Sequence, residues 1–297
     1  MSGYGYRIAG QDMEAAHLRA GLHLVATPVG NLKDITIRAL ETLSGANMIL
    51  CEDTRVSRKL LERYSIKATL LAYHEHNSQR MRPRILARLQ AGEAIALISD
   101  AGTPLVSDPG YKLVRAALEQ EIYVTALPGA SATVLALTLS GLPPDRFMFC
   151  GFLPSKQGAR RSALEMVKTA PASLVFFESP RRLAKSLGDM AQILGNRPAA
   201  IARELTKIHE ELRRGDLAGL AAHYDESGAP KGEVVIVTGP PLPAPQIGLD
   251  EVLHAALKTL SVRDAAAEAA RLCGIGKKQA YARALELKET KTGAPKR

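Results

Sequence analysis

AIALISDAGTPLVSDPG, residues 94–110, joins five consecutive apolar residues to a twelve-residue run that holds two Asp, two Gly and two Pro. An unbroken apolar run, as opposed to an alternating one, marks a strand buried on both faces, the habit of parallel sheets covered by helices on each side. The run that follows is too rich in Gly and Pro for regular structure and predicts an irregular loop whose backbone can approach a ligand closely. In a parallel α/β sheet ligands bind beyond the carboxyl ends of the strands, which is where this loop falls. Purely structurally, the same residues also read as a tight crossover loop with an Asp capping the next helix.

Working outward, LHLVA (22–26), NMILC (47–51), ATLLAY (68–73) and IYVTA (122–126) repeat the pattern of a short apolar run followed by an amphipathic stretch. They predict an N-terminal α/β domain over residues 21–140, preceded by an extension, 1–20, to which no role attaches. GLPPDRF (141–147) interrupts any helix begun at Ser131. A second α/β domain over 141–240 follows from RFMFCGF (146–152), SLVFFES (173–179), AAIAREL (199–205) and EVVIVTG (233–239). Residues 241–248 form a proline-rich linker, expected to be extended and fairly stiff. Residues 249–297 read as a helical unit in which 262–287 is helix, glycine-marked turn and helix, with a frayed tail over 288–297.

With 297 residues the chain can bury more than one core, and 46% hydrophobic against 23% charged residues excludes wholesale disorder. The 4% aromatic content, with no Trp, argues against recognition of many stacked bases. Cys51, Cys150 and Cys273 are too scattered for a disulfide framework or a thiolate zinc site. No apolar run reaches signal-peptide or membrane-spanning length, so a soluble, cytoplasmic protein with no membrane partner is expected. Lys and Arg exceed Asp and Glu by 39 to 30, a net charge of +9. That charge fits either a polyanionic partner or a merely soluble basic surface.

The loop at 99–110 carries Asp100 and Asp108, and its first basic neighbour is Lys112. Those carboxylates repel a dense phosphate but suit ribose hydroxyls, an adenine edge or a cation such as a sulfonium. Neither G-x-G-x-x-G nor G-x-x-x-x-G-K-[ST] occurs in either α/β region, which weakens dinucleotide and nucleoside-triphosphate readings. In LPGAS (127–131), Ser131 is a candidate N-cap and Gly129 a point of close backbone approach. EDTR (52–55) follows a buried strand: Asp53 could bind a hydroxyl or act as a base and Arg55 could hold a phosphate, or the cluster could simply open a helix. His74 and His76 would share one face if HEHN lay on a strand, but no third ligand accompanies them and no metal is expected. FFESPRR (176–182) and LPSKQGARR (153–161) offer Glu178, Lys156, Arg160, Arg161, Arg181 and Arg182, read either as an RNA-backbone track or as solvated faces.

Taken together and in order, TPVGNLKDIT, EDTR, YHEHN, SDAGTPLVSDPGY, LPG-S, GFLP, FFES-R and ARELTK resemble the ribosomal RNA small-subunit 2'-O-ribose methyltransferases of the tetrapyrrole-methylase superfamily, over about residues 21–239. The helical unit resembles that family's helix-turn-helix extension. The resemblance implies two α/β domains with S-adenosylmethionine in the cleft between them, a homodimer, and a cytidine of 16S ribosomal RNA, free or in the small subunit, as substrate. It carries cofactor contact onto Pro28, Asp100, Gly102, Thr103, Val106, Ala130, Ser131, Phe152 and Leu153, with Gly232 and Glu233 as further candidates. Methyl transfer to a weakly acidic hydroxyl is helped by a base, for which Asp53, His76 and Glu178 are the candidates. Arg55, Arg181 and Arg182 would hold flanking phosphates, and reading through the 2'-hydroxyl would exclude DNA. Lys277 and Lys278, beside the turn of the helical unit, would widen the RNA footprint, unless that unit serves to stabilise a dimer. Two other readings stay open: a methylase of a porphyrin or corrin precursor, and a non-catalytic RNA-binding assembly factor.

Overall fold

The computed structural model describes residues 5–242 and 248–292. Most of the expected linker, 243–247, and the last part of the expected frayed tail, 293–297, lie outside the described residues. The chain divides into one compact unit, Met1–Pro241, and a second, Leu242–Arg297.

The first unit opens with an antiparallel hairpin, β1 (Gly5–Ile8) and β2 (Gln11–Glu14), in which Tyr6 pairs with Met13. Then follow β3 (Gly21–Val25), α1 (Ile37–Gly45), β4 (Met48–Cys51), α2 (Thr54–Arg63), β5 (Leu70–Ala72), α3 (Glu75–Gln90), β6 (Ala94–Ile98), α4 (Tyr111–Glu119) and β7 (Val124–Leu127). Strands β3 to β7 make a wholly parallel sheet in the order β5-β4-β6-β3-β7. Its two faces are covered separately. Ala96 and Ile98 pack with Leu40 and Leu43 of α1 and Leu60 and Leu61 of α2. Ile95 and Leu97 pack with Ile85 and Leu89 of α3 and Leu113 of α4. This two-sided burial is why AIALI reads as continuous rather than alternating. The hairpin was not legible in the sequence, because β2 is fully exposed and each strand has only four residues. It is held by burial of Tyr6 in the α1–α2 cluster and by the Arg7 N–H donating to the Tyr64 carbonyl at 2.7 Å.

The chain then enters α5 (Ala132–Ser140), β8 (Phe147–Phe152), α6 (Gln157–Val167), β9 (Ser173–Glu178), α7 (Leu183–Leu194), β10 (Pro198–Arg203), β11 (Glu211–Asp216), α8 (Leu217–Ser227) and β12 (Val234–Thr238). These strands form a mixed sheet in the order β11-β10-β12-β9-β8, parallel only between β8 and β9. Helices α6, α7 and α8 cover one face, through Leu164, Leu187, Met190 and Leu220. The other face is covered by α5, whose Ala136 and Leu137 pack on Val175, Val235 and Val237. Helix α5 therefore belongs with the second sheet, and the chain passes between layers at the LPGAS loop, earlier than the expected boundary at 140. Strand β11 escaped the sequence reading because ELRRGD is a charged edge strand with no buried residue.

One of the expected RNA-contacting residues, Arg160, is structural instead. Arg160 is 4% exposed and forms an ion pair of 2.6 Å with Asp189, itself 3% exposed. Arg161 holds the other oxygen of Asp189 at 2.7 Å and also donates to Gln192. Burial pushes the Asp189 carboxyl up, but hydrogen bonds from Arg161, Arg160 and Gln157 outweigh it and hold the group below the usual carboxylate range. A buried guanidinium so engaged cannot track a nucleic-acid backbone.

In the second unit, α9 (Leu249–Ala256), α10 (Val262–Cys273) and α11 (Lys277–Thr292) pack through Leu253, Ala266, Ala269, Ala280 and Ala284. Small residues let the helices approach closely. Ser261 caps α10 by accepting from the Asp264 N–H, and Gly274 ends it in the left-handed conformation at φ 66°, so the expected helix, turn and helix is present. Helix α11 runs to Thr292, past the point where fraying was expected. No helix among the described residues is long and apolar enough to cross a membrane.

Replacing Asp189 by Ala strands a buried guanidinium and should cost about 3 kcal/mol or more, measured by urea denaturation. Arg161→Ala, at a side chain 41% exposed, should cost under about 1 kcal/mol.

Candidate active site

The loops after β3 and β6 leave neighbouring strands, and an isolated bridge ties them together. The Thr27 N–H donates to the Gly102 carbonyl and the Gly102 N–H to the Thr27 carbonyl, both at 2.9 Å. Gly102 adopts φ +81°, and a Cβ there would stand 3.3 Å from Val29. Leu105 and Ser107 in the same loop also have positive φ, 74° and 66°. Non-glycine residues so placed cost roughly 1–3 kcal/mol each and cluster where a backbone is shaped for a ligand.

Beneath this loop lies a cavity of about 350 Å³, within the range of small-ligand sites. The first sheet contributes Val29, Gly102, Thr103, Val106 and Asp108, and the start of α5 contributes Ser131, Ala132 and Thr133. The second sheet contributes Phe152, Phe177, Glu178, Ala202 and the segment Gly232–Val235. Phe177 meets Phe152 and Phe149 edge-on, at ring separations of 5.5 and 4.9 Å. No Lys or Arg among the described residues lines it.

On the far side another glycine packs tightly against its neighbours. Gly232 has φ +96°, and its Cβ would fall 2.2 Å from Glu204 Oε1. That same oxygen accepts from the Glu233 N–H at 2.9 Å and from Lys207 Nζ at 3.0 Å, while Lys207 also reaches Glu233 at 2.8 Å. The Asn31 N–H donates to Thr206 Oγ1 at 3.0 Å, tying the TPVGN loop to the ARELTK loop.

Of the residues expected to hold a cofactor, Gly102, Thr103, Val106, Ser131, Phe152, Gly232 and Glu233 come together around this cavity. Pro28, Asp100, Ala130 and Leu153 are not among its lining residues. Asp100 Oδ1 accepts from the Asp53 N–H at 3.1 Å, and the Ala130 carbonyl accepts from Thr103 Oγ1 at 3.2 Å. Leu153 is buried in the core under α6 and α7. Ser131 caps α5 by accepting from the Val134 N–H, and a Cβ on Gly129 would stand 2.7 Å from Ala26 Cβ, as expected of LPGAS.

The three expected bases fare differently. Asp53 caps α2 and pairs with Arg55 at 2.6 Å, and hydrogen bonds from Arg55 hold its carboxyl down at about 2. Of the two readings of EDTR, helix capping therefore describes Asp53, and a carboxylate so stabilised is a poor base. His74 is the N-cap of α3 and His76 is exposed in its first turn, so HEHN is not a strand and the histidines share no strand face. Neither Asp53 nor His76 lines the cavity. Glu178 does, but Oε1 accepts from the Ser179 N–H and Arg182, and Oε2 accepts from Ser186, which leaves it a buried anchor. Arg182 is committed to that anchor and to the Leu153 carbonyl, whereas Arg181 and Lys156 are exposed. Lys277 and Lys278 are exposed at the start of α11.

In the sequence Asp108 reads only as a loop carboxylate, and Thr133 is not singled out at all. Asp108 stands in plain sight in SDPG, but only the folded loop carries it into the cavity. Burial, then the nearby charge of Glu52, pushes its carboxyl up to about 6. Thr133 is 5% exposed, and its hydroxyl is buried without a hydrogen-bond partner; a Thr in a helix's first turn gives no sequence signal of that.

The family model of the Tetrapyrrole (Corrin/Porphyrin) Methylases matches residues 21–221, and that of the RsmI C-terminal HTH domain matches 243–288. A Ribosomal RNA small subunit methyltransferase I of Mesorhizobium japonicum is 53% identical, covering 94% of this chain and 96% of the relative. The protein of that name from Escherichia coli O157:H7 is 44% identical, covering 93% and 98%. Among solved structures, a diphthine synthase superposes with a TM-score of 0.58 at 16% identity, covering 73% of this chain and 89% of that one. A uroporphyrin-III C-methyl transferase of Thermus thermophilus, complexed with S-adenyl homocysteine, gives 0.52 at 20%, covering 74% and 97%.

Gly232→Ala should destabilise the protein by at least about 1 kcal/mol more than Gly228→Ala. Both add left-handed strain of about 1–2 kcal/mol, but at Gly228 nothing lies within 4 Å of the new Cβ. Chemical denaturation of the two variants makes the comparison; equal losses would mean that Glu204 moves aside freely.

Proposed function

Because this chain belongs to the tetrapyrrole (corrin/porphyrin) methylase family, we propose that it is an S-adenosylmethionine-dependent methyltransferase that acts on ribosomal RNA of the small subunit, at the ribose 2'-hydroxyl of a 16S cytidine. The carrying observation is a largely apolar cavity at the carboxyl edge of a parallel sheet, whose polar side chains are carboxylates and hydroxyls, with no cation among the described residues. Such a lining disfavours phosphate and suits a positively charged sulfonium. Gly102 and Gly232 border the same cavity in positive-φ conformations that glycine adopts without strain.

When bound, S-adenosylmethionine supplies an electrophilic methyl group on a cationic sulfur. The protein's contribution is placement. Gly102, Thr103, Ser131, Gly232 and Glu233 offer polar backbone and side-chain groups, and Val106, Phe152 and Phe177 exclude water from the reacting centre. Holding the methyl in line with an acceptor oxygen accounts for most of the acceleration expected.

Ribosomal RNA is favoured over a porphyrin precursor by the names of the full-length relatives and by the match to the RsmI C-terminal HTH domain. The structural neighbours support the fold alone. Lys156 and Arg181 on the first unit, and Lys277 and Lys278 on the second, are the exposed cations offered to RNA phosphates. Arg55, 86% exposed, keeps a free side beyond its pair with Asp53. A cytoplasmic homodimer fits this reading: β8 is an edge strand that exposes Phe147 at 44% and Met148 at 41%, an apolar edge open to pairing.

Labelled methyl from S-adenosylmethionine should enter assembled small subunits or naked 16S RNA, and not uroporphyrinogen; label in no RNA overturns the reading, and label in the tetrapyrrole selects the porphyrin alternative. RNA bound without any methyl transfer would select the assembly-factor alternative. Deleting residues 247–297 should weaken RNA binding and flatten its salt dependence, by about 0.7–0.9 in slope per lost phosphate contact; an unchanged slope assigns the helical unit to another task.

A further inference from the structure

Resting on the methyltransferase reading, we propose that Asp108 is the catalytic residue that takes the proton from the ribose 2'-hydroxyl. A base for this step must border the cavity, be reachable by substrate, and be free of a cation that would hold its charge. Asp53 and His76 do not border it, and Glu178 has both oxygens engaged. Glu233 borders it but is held by Lys207 at 2.8 Å. Asp108 borders the cavity, is half-buried, and has no Lys or Arg at ion-pair distance among the described residues.

The groups around it explain its character. Glu52, at the end of β4, and Asp100, after β6, are like charges that disfavour its ionised form, while a hydrogen bond with Ser99 favours it. Burial is the largest influence, and the carboxyl is raised to about 6. A carboxylate of ordinary acidity is a weak base near neutral pH, and raising it towards the working pH improves proton transfer. The cavity wall around Asp108 also carries the hydroxyl-bearing residues Thr103, Ser107 and Ser131, and no cation among the described residues.

The step balances. The O–H bond of the 2'-hydroxyl breaks and its proton goes to an Asp108 oxygen, while the freed electron pair makes the O–CH3 bond. The S–CH3 pair stays on sulfur, which leaves as neutral S-adenosylhomocysteine. Sulfonium and carboxylate become thioether and carboxylic acid, and Asp108 returns its proton to water.

The test is Asp108→Asn in the full-length protein. Its kcat on small subunits should fall about 100-fold or more, with calorimetric affinity for S-adenosylhomocysteine within about threefold of wild type and an unchanged circular dichroism spectrum. Wild-type kcat/KM should fall about tenfold per pH unit below about 6. Glu52→Gln, by removing a like charge, should move that limb to lower pH. A kcat within threefold of wild type overturns the proposal; so does joint loss of S-adenosylhomocysteine binding, which would make Asp108 a holder of the donor. If Asp108→Asn does not fold, the Glu52→Gln limb decides alone, and a limb that stays put overturns the assignment. Wild-type protein that labels no RNA is the separate failure of the methyltransferase reading and takes this proposal with it.

Discussion

The reciprocal pair of backbone hydrogen bonds between Thr27 and Gly102 is the join on which the site depends. Strand β3 sits between β6 and β7, so the loops leaving β3 and β6 start side by side and then run to helices on opposite faces of the sheet. A loop of twelve residues anchored only at its ends would sample many shapes. Tied at Gly102, it holds Thr103, Val106 and Asp108 against one cavity. The tie needs φ +81° at Gly102 and is accompanied by positive φ at Leu105 and Ser107, strain that the packed sheet beneath can bear.

A similar economy governs charge. The chain carries a net +9, yet the cavity wall among the described residues holds no cation. Two cations are tethered to residues of that wall: Arg182 to Glu178, and Lys207 to Glu233 and also to Glu204. Each tether commits a cation to a carboxylate that borders the cavity. Carboxylates such as Asp108 are then left facing the interior with their charge only partly relieved, the electrostatic setting that favours a cationic donor and a proton-accepting group together.

Where sequence patterns rest on two-sided burial, they were readable. The five runs of the parallel sheet, the LPGAS cap, and the helix, turn and helix after Ser261 all fall where continuous apolarity, an N-cap serine and a left-handed glycine indicate. Elements whose stability comes from elsewhere were not. The β1–β2 hairpin leans on Tyr6 and Tyr64, β11 is a charged edge, and α5 is apolar on so many sides that its sequence does not say which sheet it covers. HEHN illustrates the ambiguity of short polar motifs: the alternation of His with Glu suits a strand, but Asn77 accepts from the His74 N–H at 3.0 Å and turns it into a helix start.

By itself, the sequence determined the class of fold, the family, and which loops gather at the sheet's carboxyl edge, because these follow from periodicity and from Gly, Pro and Asp at particular positions in the chain. Only the tertiary structure decided which charged residues are free to act. A carboxylate or guanidinium has the same letter whether it is solvated, buried or paired, and its chemistry is set by neighbours distant in sequence. Asp189 stands 29 residues from Arg160, and no local pattern announces that one silences the other. Asp108 and Glu178 read alike as acids after strands; packing made one a paired anchor and left the other open to the cavity.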